Sequence, residues 1–301
     1  MPTLPVNTAH DLVVQDPNTG AVDYLQFSGT TLTGSNMINY GISGFQIAAH
    51  GDFGGGAGGI ADGFQDLLAQ NTTTGQLDFL NLDATGHLIA SATNSTFVGT
   101  VHGAGDFGAF AGQVGPVVVS QLPDGTIDLL GFDGGTLVGS QTIAGTAGLP
   151  GIVGVAESNA NFPVFANNGT GTNDNIFVQY ADGSIDALGF SGTIGGAGGV
   201  TYTNSLLIPN SAGSGHVVAI NQDFGFDSNF NIPAGAAAVE TVQIVTQAAD
   251  GHITNLFVDS GYGGTATEGT IFAQDALAQA FPGLNVVDAG SVAHNSFFPI
   301  A

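Results

Sequence analysis

The 301-residue chain contains no lysine, arginine, cysteine or tryptophan. Without lysine there is no amine for a Schiff base and no ammonium to close a P-loop. Without arginine there is no planar fork to clamp a carboxylate or phosphate. A surface with no cations has nothing to neutralise phosphates, which argues against nucleic acid and anionic lipid headgroups as partners. The lack of cysteine removes disulfides, thiolate catalysis and thiolate metal sites. Trypsin-like proteases find nothing to cut. The formal charge of −24 therefore comes from missing cations, because charged residues make up only 8% of the chain, against about 25% in ordinary globular proteins.

Two further absences concern location. Met1–His10 (MPTLPVNTAH) has neither the basic nor the apolar region of a secretory signal peptide. No uninterrupted apolar run approaches the roughly 18 residues that would suggest a membrane-spanning helix. The expectation is a chain that does not insert into membranes and is exported without an N-terminal signal peptide.

What is present is 43% hydrophobic residues, a mean hydropathy of +0.28 and 49 glycines. That apolar content is too high for a disordered chain. The length allows one large domain or two small ones, and no linker or shift in composition divides it.

Five segments share one pattern: Asp11–Phe27, Asp66–Leu82, Val117–Phe132, Asn175–Phe190 and Thr241–Val258. Each reads as an apolar strand ending in Gln, a polar turn carrying Gly, and an alternating strand. The glutamines are Gln15, Gln70, Gln121, Gln179 and Gln247. Glycine in the turns (three of them Asp-Gly) supplies the positive φ that tight hairpins need. A further short strand, such as Phe45–His50 or Ile152–Ala156, is expected to close each unit. Counting a weaker strand in the Gly/Ser/Thr-rich stretch between, each unit has about four strands. Four-stranded units repeated around an axis are the blades of a β-propeller. The expected fold is all-β, one propeller domain over 1–301 with five four-stranded blades. The units run approximately 10–63, 64–114, 115–173, 174–239 and 240–301. Gln274–Phe281, ended by Pro282, reads as a short helix.

Gly51-Asp52-Phe53 and Gly105-Asp106-Phe107, with Gln222-Asp223-Phe224 as a weaker copy, precede such apolar strands. In this order the elements resemble the FG-GAP/VCBS-type repeat of bacterial extracellular propellers. The resemblance implies a secreted protein and a calcium loop after each Gly-Asp-Phe. A calcium loop needs six to eight oxygen ligands at close spacing. Here only Asp62 and Asp66 follow Asp52 as carboxylates, and none follows Asp106 within its loop. A second candidate set is Asp223, Asp227, Asn229 and Asn231. The alternative for all of them is the Asx-turn, in which Asp or Asn bonds its own backbone. Gly169–Ile176 resembles a degraded glycine/aspartate repeat of type I secreted proteins. Calcium is the one cofactor these residues admit.

No residue set points to catalysis. Asp23, Asp78, Asp128 and Asp186 occupy equivalent places in four units, as a structural residue does and a catalytic one usually does not. The seven histidines form no HExxH pattern, although His50 and His102 both precede Gly-Asp-Phe and so fall near one ring. A glycosidase would need two opposed carboxylates about 5–10 Å apart, and nothing local selects a pair. Tyr24, Tyr40, Tyr202 and Tyr262 are candidate sugar-stacking aromatics. The expectation is a non-catalytic bacterial surface or matrix protein, calcium-binding, and structural or adhesive. Its partners would be further copies of itself or an extracellular polysaccharide. The alternatives are a lectin-like propeller and, behind it, a carboxylate-based glycoside hydrolase.

Overall fold

The computed structural model describes residues 10–28, 31–38, 44–54, 66–82, 88–95, 99–156, 175–208, 216–223, 241–259, 271–276 and 280–291. They form twenty strands, and no helix occurs among them. In chain order these are β1 (His10–Gln15), β2 (Val22–Ser28), β3 (Thr31–Ile38), β4 (Phe45–Gly51), β5 (Asp66–Asn71), β6 (Leu77–Leu82) and β7 (Leu88–Asn94). There follow β8 (Thr100–Gly105), β9 (Val117–Gln121), β10 (Ile127–Asp133), β11 (Thr136–Ile143), β12 (Ile152–Ala156), β13 (Asn175–Gln179) and β14 (Ile185–Ser191). The last are β15 (Thr201–Ile208), β16 (His216–Asp223), β17 (Thr241–Gln247), β18 (Ile253–Asp259), β19 (Ile271–Ala276) and β20 (Asn285–Ser291).

These strands make five four-stranded antiparallel sheets: β20-β1-β2-β3, β4 to β7, β8 to β11, β12 to β15 and β16 to β19. The innermost strands neighbour one another in the cyclic order β4, β8, β12, β16, β20 and back to β4. This is a propeller arrangement. The ring is closed by β20, the last of the described strands, which pairs with β1, the first of them.

The pairing changes how the repeat divides. The strand expected to close each unit hydrogen-bonds to the hairpin that follows it. Thus β4 pairs with β5, placing Phe45 opposite Asn71 and His50 opposite Leu67. Each repeat therefore ends in the next sheet, which ties successive sheets together covalently.

Five hydrophobic clusters fill the five seams between neighbouring sheets. Val13 and Val22 meet Ile47, Leu67 and Leu80 between the first and second sheets. Phe79 and Leu77 meet Val118, Leu130 and Phe132 at the next seam, with the Phe79 and Phe132 ring centroids 4.9 Å apart. Ile127 and Leu129 meet Ile176 and Leu188. Phe177 and Ile185 meet Val217 and Ile244, and Val245 and Ile253 meet Leu12 and Val14. Each sheet is covered on both faces, so β6 and β9 are buried along their whole length rather than alternating.

The described part of Gln274–Phe281, expected to be a helix, is not helical. Gln274, Asp275 and Ala276 lie in β19, where Gln274 is paired with Leu256 and Ala276 with Thr254. Helical propensity yields there to the ladder bonds offered by β18.

Candidate functional site

The repeated glutamines occupy one structural position. In Gln15, Nε2 donates to the Gly20 carbonyl in its own turn at 3.3 Å and to the Phe45 carbonyl in β4 at 2.9 Å. Its Oε1 accepts the Ile47 N–H at 3.0 Å. Gln70 does the same to Gly75, Gly99 and Val101. Gln121 does so to Gly125, Pro150 and Ile152. Gln179 reaches Gly183 and Val217, and Gln247 reaches Leu284 at 2.8 Å. The sequence marked each Gln as the end of an apolar strand. The structure adds that the backbone it reaches across to belongs to the innermost strand of the following sheet. A primary amide suits this role, since it donates and accepts at once without carrying charge.

The turns below these latches need glycine. Gly125 has φ +87°, and a Cβ there would lie 2.8 Å from the Leu149 carbonyl oxygen. At Gly251, φ +85°, a Cβ would lie 2.5 Å from the Phe281 carbonyl carbon. Asp124, Asp182 and Asp250 stand exposed in these turns, and Asp16 is half-buried. Hydrogen bonds accepted from Asn18, Thr126, Ser184 and His252 hold their carboxyls below the usual range.

The Gly-Asp-Phe motifs sit where innermost strands leave the sheet at the opposite end. Phe53 and Phe107 are buried in the seams, with Phe53 edge-on to Phe79 and Phe107 edge-on to Phe190. Gly51 lets Pro116 approach to within 2.4 Å of where a Cβ would be. Asp52 and Asp106 each accept the backbone N–H two residues on, at 3.4 and 3.0 Å, as Asx-turns do.

Of the calcium candidates, Asp66 is buried, and its carboxylate accepts the Phe53 N–H at 3.1 Å and the Leu82 N–H at 3.0 Å. That anchors the Gly-Asp-Phe segment to the second sheet. Asp62, Asp227, Asn229 and Asn231 lie outside the described residues. Asp223 is the last residue of β16. Among the described residues no three histidine or acidic side chains gather to hold a metal.

Asp78 and Asp186 are buried, and Asp23 and Asp128 half-buried, at the expected equivalent positions. Asp186 Oδ2 accepts the Tyr180 hydroxyl at 3.0 Å, while Oδ1 of Asp128 and of Asp186 is buried without a hydrogen-bond partner. Of the candidate aromatics, Tyr202 packs against the seam core beside Phe190, and Tyr24, Tyr40 and Tyr262 have no described side chain. Among the described residues Tyr180, which the sequence did not single out, is an exposed aromatic.

A funnel of about 1680 Å³ opens on the axis, on the side of the Gln latches. Its wall is made by the first residues of the innermost strands and the nearby turns. Its described lining contains His102 and His216 but no carboxylate and no aromatic. The pair of opposed acids that a propeller glycosidase would present on its axis is not among these residues. His50 does not line the funnel.

No protein-family model and no curated protein sequence matches the chain. Among solved structures it is similar to BBS1N in complex with ARL6DN, with a TM-score of 0.35 and 13% identity over 82% of this chain and 61% of that one. It is similar to AofleA from Arthrobotrys oligospora, with a TM-score of 0.45 and 12% identity over 92% and 73%. It is also similar to the WD40 domain of Toxoplasma gondii coronin, with a TM-score of 0.35 and 10% identity over 92% and 59%. The chain thus spans less than two thirds of the BBS1 and coronin chains.

Proposed function

We propose that the five sheets are the five blades of one closed propeller of the FG-GAP/VCBS type. On this reading it is a non-catalytic, secreted component of a bacterial surface or matrix, assembled by self-association. One observation carries it. The outermost strands β3, β7, β11, β15 and β19 contain a single charged residue between them, Asp275. An edge strand exposes unpaired N–H and C=O groups, and proteins normally guard such edges with charge, proline or a bulge. Each of these edges has a bulge near its start. Beyond the bulge, neither lysine nor proline guards it. Four of these strands also carry an exposed large apolar side chain: Met37, Ile89, Leu137 and Leu207. The absence of lysine and arginine, which leaves trypsin-like proteases no site, suits a durable extracellular material.

Negative-stain microscopy and analytical ultracentrifugation test the reading, with millimolar calcium and with EGTA. Ordered filaments or sheets are expected, and their loss in EGTA would place calcium between copies as a bridge of surface carboxylates. Monomers under every condition overturn the reading.

A further inference from the structure

The funnel is built from two rings that the repeat generates. In every innermost strand one residue forms a β-bulge at the same level: Ala48, His102, Val153, Val218 and Val287. A bulge re-aims the residue it carries. Ala48, His102, Val153 and Val218 are half-buried and line the deep part of the funnel. Two residues earlier in the chain lies an outer ring of exposed side chains, Gln46, Thr100, His216 and Asn285. The residues between the rings, Ile47, Val101, Ile152 and Val217, point away into the seam cores.

The ring of bulge residues departs from its own repeat at one place. Four of its five positions are alanine or valine, which shows that the fold needs nothing more there. The fifth is an imidazole. Burial pushes His102 down to about 4, with no hydrogen bond or charge contributing, so at neutral pH it is uncharged, with one ring nitrogen a donor and the other an acceptor.

We propose that this funnel binds the end of an uncharged oligosaccharide, with His102 as the residue that fixes the ligand at the floor. The lining excludes the other classes. An anionic ligand meets no cation in a chain of charge −24. A cationic ligand finds no carboxylate on the described wall. A wholly apolar ligand would strip water from the amides and hydroxyls of the rim without replacing their hydrogen bonds. A neutral polyol satisfies both rings. Its hydroxyls pair in either direction with Gln46, Thr100, His216 and Asn285, while its C–H faces lie on Ala48, Val153 and Val218. The volume suits several linked sugar rings rather than one. This inference goes beyond self-association and does not rest on it, because the funnel lies on the axis and the edge strands on the rim of the molecule.

The test is to probe an array of neutral and acidic oligosaccharides with the labelled full-length chain. The strongest neutral binder is then titrated by calorimetry against wild type, His102→Val and Gln46→Ala. His102→Val gives the floor the residue that three of the other positions already carry, so it is expected to keep the wild-type thermal midpoint at neutral pH. Selective binding of neutral glycans is expected, weakened at least tenfold by His102→Val and several-fold by Gln46→Ala. No neutral glycan bound, equal binding of acidic glycans, or unchanged affinity in His102→Val would overturn the proposal.

Discussion

The innermost and outermost strands of each sheet are both edges in the hydrogen-bonding sense, but they are secured differently. An innermost strand is stitched at its start by a glutamine from the preceding sheet, as Gln121 holds Ile152 and Pro150. A bulge at a fixed position then sets its register, and its alternate side chains fill two seam cores. An outermost strand such as β11 has one partner and a free side, and most of its residues are exposed or half-buried. The inner edge is protected by what surrounds it. The outer edge depends on its own sequence, and that sequence supplies almost no charge. The same ladder chemistry gives a rigid hub and a rim open to pairing.

Removing a latch should have the largest effect. Gln121→Ala leaves the buried Ile152 N–H of β12 and the Pro150 carbonyl just before it without these partners and should cost about 3 kcal/mol, measured by denaturant unfolding. A wild-type midpoint in that variant would mean that the seam cores alone hold the ring. Asp66→Asn should cost about 2 kcal/mol, since the amide can accept from Phe53 or Leu82 only through its one oxygen. An unchanged midpoint would detach Asp66 from the role described.

His102 gives the hub a pH signature. Its pKa falls from 6.5 to about 4 on folding, so between these values the unfolded chain binds a proton that the folded chain does not. Stability should be fully present above pH 6.5, decline as pH falls towards 4, and level off below that. Allowing for partial exposure, the loss is about 2 kcal/mol. His102→Val should flatten this part of the pH–stability curve relative to wild type, and an unchanged slope would show the imidazole to be solvated. Asp186→Asn should stabilise by up to about 1 kcal/mol, because it keeps an acceptor for Tyr180 while removing a charge from a buried site. A clear loss of stability would reveal a cation or water serving Oδ1.

At the rim the smallest change in stability should accompany a large change in assembly. Met37→Lys combined with Leu137→Lys should alter the midpoint by no more than about 0.5 kcal/mol. If the edges pair, sedimentation of this variant should show assembly reduced or lost.

The sequence alone determined the all-β class, the five hairpins, the glycines with positive φ and the repeating glutamine, because these depend on local turn chemistry and on periodicity. It could not say what each glutamine bonds. Gln70 reaches Gly99 across 29 residues and Gln179 reaches Val217 across 38, so only closure of the ring brings donor and acceptor together. Tertiary structure likewise assigned each innermost strand to the sheet that follows, because a strand pairs with whichever neighbour the ring presents. It made a strand of Gln274–Ala276, where β18 offered a free edge. It turned Asp66 inward as a backbone anchor. And it set His102 apart from His50, since His102 is the bulge residue of its strand, whereas His50 lies two places beyond the equivalent bulge residue, Ala48.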